Sequence, residues 1–268
     1  MEKSSLSDLP PVARTLIVPL SCRAHESARS DALLRDPRAV ELLQNIAGAR
    51  DLRLGLNKMD QTFTIMRARQ FDHQARTFLA AHPDGLVVDI GCGLDTRFHR
   101  LDNGQMIWLG LDLPEVIELR RRLLPDSERC RTLAKSMFDV SWMDAVGAID
   151  RPVIFLAEGV FVYFHEAQVR SVVAALVERF PGRELVFDAL SSFSIRMHKG
   201  HSVLKKTGAH VDWGLDDPQG LESWGLRLLD RWGYFDQYEP RLGVANWMRR
   251  IPALANSNYV LHYRLGNG

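Results

Sequence analysis

Two glycines one residue apart, set behind an apolar strand, are the chemistry-bearing core of this chain: Leu86 Val87 Val88 Asp89 Ile90 Gly91 Cys92 Gly93 Leu94 Asp95 Thr96 Arg97. The apolar run predicts a buried strand. The glycines let the backbone turn sharply and approach a ligand closely. About twenty residues further on, Met106 Ile107 Trp108 Leu109 Gly110 Leu111 Asp112 reads as a second strand ending in a carboxylate, the position from which a ribose diol is bound. Together they describe a pocket for a nucleoside-containing cofactor.

Which cofactor is narrowed by the loop itself. A dinucleotide fold prefers a third glycine where this chain has Thr96, which weakens NAD. S-Adenosylmethionine uses the same architecture, with its methionine part against the glycines and its ribose on Asp112. The competing reading of Asp112 is an acid placed beside the N-terminus of the helix opened by Pro114. His198 and His201 have an H-x-x-H spacing, but no glutamate follows at zincin spacing and no third ligand is evident, so no metal is expected.

Several elements must position these groups. The first eighty-odd residues read as helical, with Asp36 Pro37 as cap and first turn before Ala39 to Ile46, and a long helix from Lys58 to Ala81 carrying Met59, Phe63, Met66, Phe71 and Phe78. From Leu86 strand and helix patterns alternate: strands 86–90, 106–111, 131–135, 152–157 and 184–189, with helices 114–124, 141–147 and 166–179. This predicts an α/β fold, a doubly wound and mostly parallel sheet. Ser191 to Lys206 looks helical and polar, and His210 to Gly220 is rich in Asp, Gly, Trp and Pro, which reads as a cap. Leu226 to Trp232 and Tyr259 to Leu265 suit an antiparallel pair at the sheet edge. The organisation is thus a single domain over 1–268: a helical cover (1–82), a cofactor-binding core (83–190), a cap or lid (191–225) and C-terminal edge strands (226–268).

Composition bounds the rest. At 268 residues and 46% hydrophobic, the chain can fill a sizeable core. A formal net charge of +1, with both signs dispersed, gives no electrostatic grip on nucleic acid or an acidic membrane. Arg120 Arg121 Arg122 reads as a solvated helix face beside Val116, Ile117, Leu119 and Leu123. Three cysteines, Cys22, Cys92 and Cys130, without CxxC spacing fit neither a disulfide framework nor zinc and suit a reducing cytoplasm. No apolar run approaches the roughly 20 residues of a membrane span, and Glu2, Ser4, Ser5 and Asp8 are unlike a secretory signal. A soluble, cytoplasmic protein is expected, with a homodimer compatible with the sequence.

Four segments carry a family resemblance: Met66 to Asp72 (MRARQFD), Val88 to Arg97 (VDIGCGLDTR), Leu111 to Ile117 (LDLPEVI) and Ala157 to Val160 (AEGV). In order and spacing the chain resembles the leucine carboxyl methyltransferase family and its bacterial polyketide (tetracenomycin-type) O-methyltransferase branch, from about Leu16 to Asp188. The resemblance implies a class I, Rossmann-like methyltransferase fold with a seven-stranded, mostly parallel sheet and an antiparallel edge. It implies S-adenosyl-L-methionine as cofactor, with Arg67 on its carboxylate, Gly91 and Gly93 beside its methionine chain and Asp112 on its ribose. Asp89 and Leu113 belong to the same set. Ser136 and Met137 stand where the protein-phosphatase branch has an Asp-Leu pair beside adenine, while Asp139 is read as a cap for the helix around Trp142. Glu158 lies near the cofactor amine and the transferred methyl.

Methyl transfer is an in-line displacement, so the enzyme must chiefly align an oxygen with the methyl carbon and exclude water. A carboxylate acceptor needs no base. A phenol or alcohol is helped by one, and His165, His198, His201 and His210 are the candidates. Tyr163, just past Glu158, is the residue placed to orient an acceptor, against a core tyrosine as the alternative. Arg23 and Glu26, around His25, read either as a gate over the site or as a surface ion pair at i,i+3. Trp213 and Trp224 read as an acceptor wall or as packing. The expected activity is O-methylation of a hydroxyl or carboxylate of a small, polyketide-like or other secondary metabolite. Its rivals are carboxyl methylation of a protein C-terminus and a noncatalytic nucleoside-ligand binder.

Overall fold

The computed structural model describes residues 9–46, 56–198, 204 and 207–266. In chain order the elements are α1 (Ile17–Ser27), α2 (Pro37–Asn45), α3 (Lys58–Ala81), β1 (Leu86–Ile90), α4 (Arg97–Leu101), β2 (Ile107–Asp112), α5 (Pro114–Leu123), β3 (Cys130–Ala134), α6 (Trp142–Gly147), β4 (Val153–Ala157), α7 (Glu166–Arg179), β5 (Glu184–Leu190), α8 (Ser192–His198), β6 (Leu226–Gly233), α9 (Pro252–Ala255) and β7 (Asn258–Leu265). The strands form one seven-stranded sheet in the order β3-β2-β1-β4-β5-β7-β6. β1 to β5 are parallel, while β7 runs antiparallel to both β5 and β6. The antiparallel pair therefore closes one edge, with β6 outermost.

Every residue of β1 and β4 is buried, as expected of strands covered on both faces. Alternation divides them: Leu86, Val88 and Ile90 pack with Val169, Val172 and Leu176 of α7, whereas Val87 packs with Phe71, Ala75 and Phe78 of α3. α3 runs its full predicted length because its start is fixed by a capping box, the Asn57 side chain accepting from Asp60 N and Asp60 accepting from Asn57 N. α2 begins at Pro37 with the Asp36 carboxylate accepting from Ala39 N at 3.0 Å. α1 and α2 then pack Ile17, Leu20, Leu42 and Leu43 against Leu94, so the helical cover sits on the glycine loop.

Three features depart from the sequence reading. The turn between β1 and β2 contains α4, a five-residue helix that periodicity does not reveal because it is shorter than two turns. Asp139 does not cap the Trp142 helix; its carboxylate accepts from Ser141 N and Oγ and orders the preceding turn. In the cap, α8 accounts for the start of the expected helix, while His201 and most of the stretch up to Lys206 lie outside the described residues. Among the described residues no helix is long and apolar enough to cross a membrane.

Candidate active site

At the carboxyl ends of β1, β2, β4 and β5, where the strand order reverses, the chain encloses a cavity of about 770 Å³. The structure brings Arg67, Asp89, Gly91, Gly93, Asp112, Leu113, Ser136, Met137, Glu158 and Tyr163 together on its wall. These come from six separate stretches of chain.

One side of the cavity is built from backbone. Gly91 N and Cys92 N both donate to Leu111 O, at 2.7 and 3.1 Å, pinning the loop to the end of β2. Gly91 has φ +69°, and a Cβ there would fall 2.4 Å from a Val160 methyl, so conformation and packing both require glycine. The Asp112 carboxylate accepts from Gly93 N and Leu113 N, each at 2.8 Å. Burial nevertheless outweighs these donors and raises its pKa. From behind, Arg120 Nη1 donates to the carbonyls of Gly93 and Asp95 at 2.9 and 2.8 Å. Arg120 is only 3% exposed, which corrects the reading of the arginine triplet as a solvated face. One turn of α5 carries Arg120 into the interior and leaves Arg122 outside, paired with Glu118.

The other side is built from side chains of distant elements. Arg67 on α3 donates from Nε to Glu158 and from Nη1 to Asp188, both at 3.0 Å. Asp188, on β5, also accepts from Gly159 N at 2.5 Å. Burial raises the Asp188 pKa against the pull of Arg67. Gly159, at φ +68°, leaves room for the guanidinium, since a Cβ there would stand 3.3 Å from it. Glu158 is held a second time by Arg97 Nη2 at 2.5 Å, and Arg97 further binds Asp72 at 2.7 Å and Asp95. Burial opposes the ionisation of Asp95, but Arg97 and the guanidiniums around it hold its pKa well below the usual carboxylate range. Asp89 takes the opposite course: burial, reinforced by the Asp95 charge, pushes it up to about 8, and its Oδ2 is buried with no hydrogen-bond partner among the described residues. Burial also raises the Tyr163 pKa, so its phenol is a hydrogen-bond donor at neutral pH rather than a base.

Arg23 and Glu26 do not pair with each other. Arg23 binds Asp36 at 2.9 Å and Leu94 O at 3.0 Å, and Glu26 binds Arg241 at 2.6 Å; both are buried, so neither is a surface pair. Trp213 and Trp224 stack on each other at 5.9 Å within the core and stand outside the cavity wall, as packing. His210 lines the cavity, whereas His165 is 76% exposed. His198 ends α8. Asp188 and Tyr234 on the wall, with Arg97 and Arg120 bracing it from behind, are the site positions that the sequence reading did not assign. The available signal for Asp188 was an acid inside an otherwise apolar strand, Leu185 to Leu190.

The residues fit S-adenosylmethionine. Asp112 offers two carboxylate oxygens at a strand end, the glycine loop leaves backbone exposed to the cavity, and Asp112, Glu158 and Asp188 give the wall the sign that suits a sulfonium and an ammonium.

The leucine carboxyl methyltransferase family model matches residues 17–177. The tetracenomycin polyketide synthesis O-methyltransferase TcmP of Streptomyces glaucescens is 34% identical over 263 residues, spanning 94% of this chain and 96% of that protein. The S-adenosyl-L-methionine-dependent methyltransferase dpfgK of Gibberella zeae is 27% identical over 276 residues, 95% of this chain and 92% of that one. In fold the chain resembles a DUF574 family protein from Streptomyces avermitilis, with TM-score 0.55 and 17% identity over 91% of this chain and 96% of the other. An S-adenosylmethionine-dependent methyltransferase from Anabaena variabilis gives TM-score 0.52 and 11% identity over 75% and 85%. The chain belongs to the leucine carboxyl methyltransferase family, as an S-adenosyl-L-methionine-dependent O-methyltransferase.

Proposed function

We propose that the acceptor is a small molecule, a polyketide-like or other secondary metabolite, methylated on a hydroxyl or carboxylate oxygen. The observation that carries this reading is the cavity itself: beyond the charged wall it continues over Phe63, Val162, Tyr163, Leu190, Ala209 and Tyr234, an apolar and aromatic lining suited to a flat organic acceptor. The near-full-length similarity to a polyketide O-methyltransferase supports it.

S-Adenosylmethionine, when bound, supplies a methyl group made electrophilic by its sulfonium. The chain's own residues bind and orient. Asp112 receives the ribose hydroxyls, Leu113 lies beside them, and Ser136 with Met137 flanks the adenine. Arg67, already turned by Glu158 and Asp188, presents its remaining N–H groups to the cofactor carboxylate. Glu158 receives the amine, and Gly91 and Gly93 leave space for the methionine chain beside Asp89. Tyr163 donates a hydrogen bond that orients the acceptor. From the cap, Leu204 and residues 208–212 cover the acceptor end and exclude water.

The test is incubation with methyl-labelled cofactor and two acceptor panels, aromatic phenols and carboxylic acids in one, peptides with a free C-terminal leucine in the other. Labelled ester or ether in the first panel is the expected outcome. Labelling confined to the peptides would overturn the small-molecule assignment.

A further inference from the structure

Across the buried ion network from the catalytic cavity lies a second cavity, of about 850 Å³, whose wall is dominated by cationic side chains. Arg69, His73 and Arg76 are spaced i, i+4, i+7 and form one exposed stripe of α3. Arg35 and Arg38 enter from the start of α2, and His99 and Arg100 from α4. Such a concentration is local, because the whole chain carries a formal charge of only +1.

The carboxylates of this cavity do not neutralise its rim. Asp36 and Asp72 are buried and already bound to Arg23, Arg97 and Arg100 at 2.7 to 2.9 Å. Glu41 is the one remaining acid on the wall, and it pairs with Arg38. Arg76 reaches Asp72 only at 3.6 Å. Among the described residues Arg35 meets no carboxylate, only the carbonyls of Ser27 and Ser30 at 3.3 and 3.4 Å. Arg69 has no ion pair or hydrogen bond among the described residues, and Arg38 Nε is buried without a partner. Burial, followed by the Arg38 charge, lowers the His99 pKa, so that imidazole stands neutral beside them. Four rim guanidiniums thus converge on one open space, and the single acid on the rim, Glu41, is already paired with Arg38.

We propose that this cavity binds a small phosphate-type oxyanion, a phosphate monoester or diphosphate, at a site separate from the methyl-transfer cavity. Planar guanidiniums arriving from α2 and α3 match the several oxygens of such a group, each donating in pairs. The site is one residue removed from the cofactor loop: Asp36, on its wall, holds Arg23 at 2.9 Å, and Arg23 donates to Leu94 O at 3.0 Å.

Isothermal titration with pyrophosphate and inorganic phosphate, at ionic strength held constant with sodium chloride, tests this on the full chain. The comparison is the Arg69→Gln/Arg76→Gln double variant, whose two changed side chains are exposed and outside the methyl-transfer cavity. Saturable binding of pyrophosphate is expected, weakened by roughly tenfold or more in the variant, with its melting temperature and its affinity for S-adenosylhomocysteine unchanged. Heats that vanish at constant ionic strength, or equal binding by the variant, would overturn the proposal. Citrate binding as tightly as pyrophosphate would overturn the phosphate assignment. Because S-adenosylhomocysteine is titrated in parallel, failure here is distinguishable from failure of the methyltransferase reading.

Discussion

Asp112 and Glu158 stand at the carboxyl ends of the two strands that flank β1, yet they are held by different forces. Asp112 is set by the backbone N–H groups of Gly93 and Leu113, on a loop pinned to Leu111 O and braced by Arg120. Glu158 is set by two guanidiniums from elsewhere in the chain, Arg67 on α3 and Arg97 on α4. The half of the cavity around Asp112 is therefore a property of local chain path, and the half around Glu158 is a property of a buried charge network. A backbone-built site loses one function when one side chain is removed. A network loses its neighbours as well.

The largest effect expected from this contrast is on stability. Arg97→Met would leave Asp72, Asp95 and part of Glu158 without their shared cation, and removing one partner of a buried ion network costs about 3–5 kcal/mol. In a chain of this size that is a melting-temperature fall on the order of 10 °C. Asp112→Ala should leave the melting temperature of the free protein almost unchanged. Equal thermal denaturation of the two variants would erase the distinction between the halves.

Binding should invert the order. Asp112→Ala removes both carboxylate oxygens offered to the ribose, and two hydrogen bonds to a charged group correspond to roughly hundredfold in affinity. Calorimetric titration with S-adenosylmethionine checks it, and an unchanged Kd would remove Asp112 from the cofactor site. Arg67→Ala should cost less, about tenfold. Its Nε and Nη1 are already committed to Glu158 and Asp188, and the two acids retain Arg97 and Gly159 N after the change. If Arg67→Ala binds the cofactor as tightly as the parent, the cofactor carboxylate is held by another group.

The same contrast explains what could be read in advance. The glycine loop, the carboxylate closing β2 and the alternation of strands with helices are local patterns, and α3 and α7 were legible to the residue because caps and apolar spacing agree along their lengths. Arg120 was misread because a run of three like charges conceals which of them the helix turns inward. Of the two readings of Arg23 and Glu26, the surface pair fails because their partners, Asp36 and Arg241, come from other elements, while Arg23 does line the cavity. Asp188 and Tyr234 went unassigned for the same reason: each reaches Arg67 only once β5 and the turn after β6 have been placed in the sheet. Side-chain networks assembled from distant segments leave no periodic trace in the chain.

A last expected effect concerns Asp89, a wall acid whose Oδ2 has no hydrogen-bond partner among the described residues. Its folded pKa, pushed up to about 8 by burial and by Asp95, lies above the ordinary 3.8, so the folded chain binds this proton more tightly than the unfolded one. Its contribution to stability is complete below about pH 4 and is lost as pH rises through about 8. Asp89→Asn has no such proton to lose, so its melting temperature should gain on the parent progressively between pH 5 and pH 9. Cofactor affinity should move the other way in the parent. A cationic ligand on this wall favours ionised Asp89, binding then releases the proton, and affinity rises with pH up to about 8 by less than tenfold per pH unit. In Asp89→Asn that slope should flatten. Parallel melting curves and parallel affinity profiles for parent and variant would show that Asp89 is already ionised beside the glycine loop, and that the charge network around Glu158 extends across β1 after all.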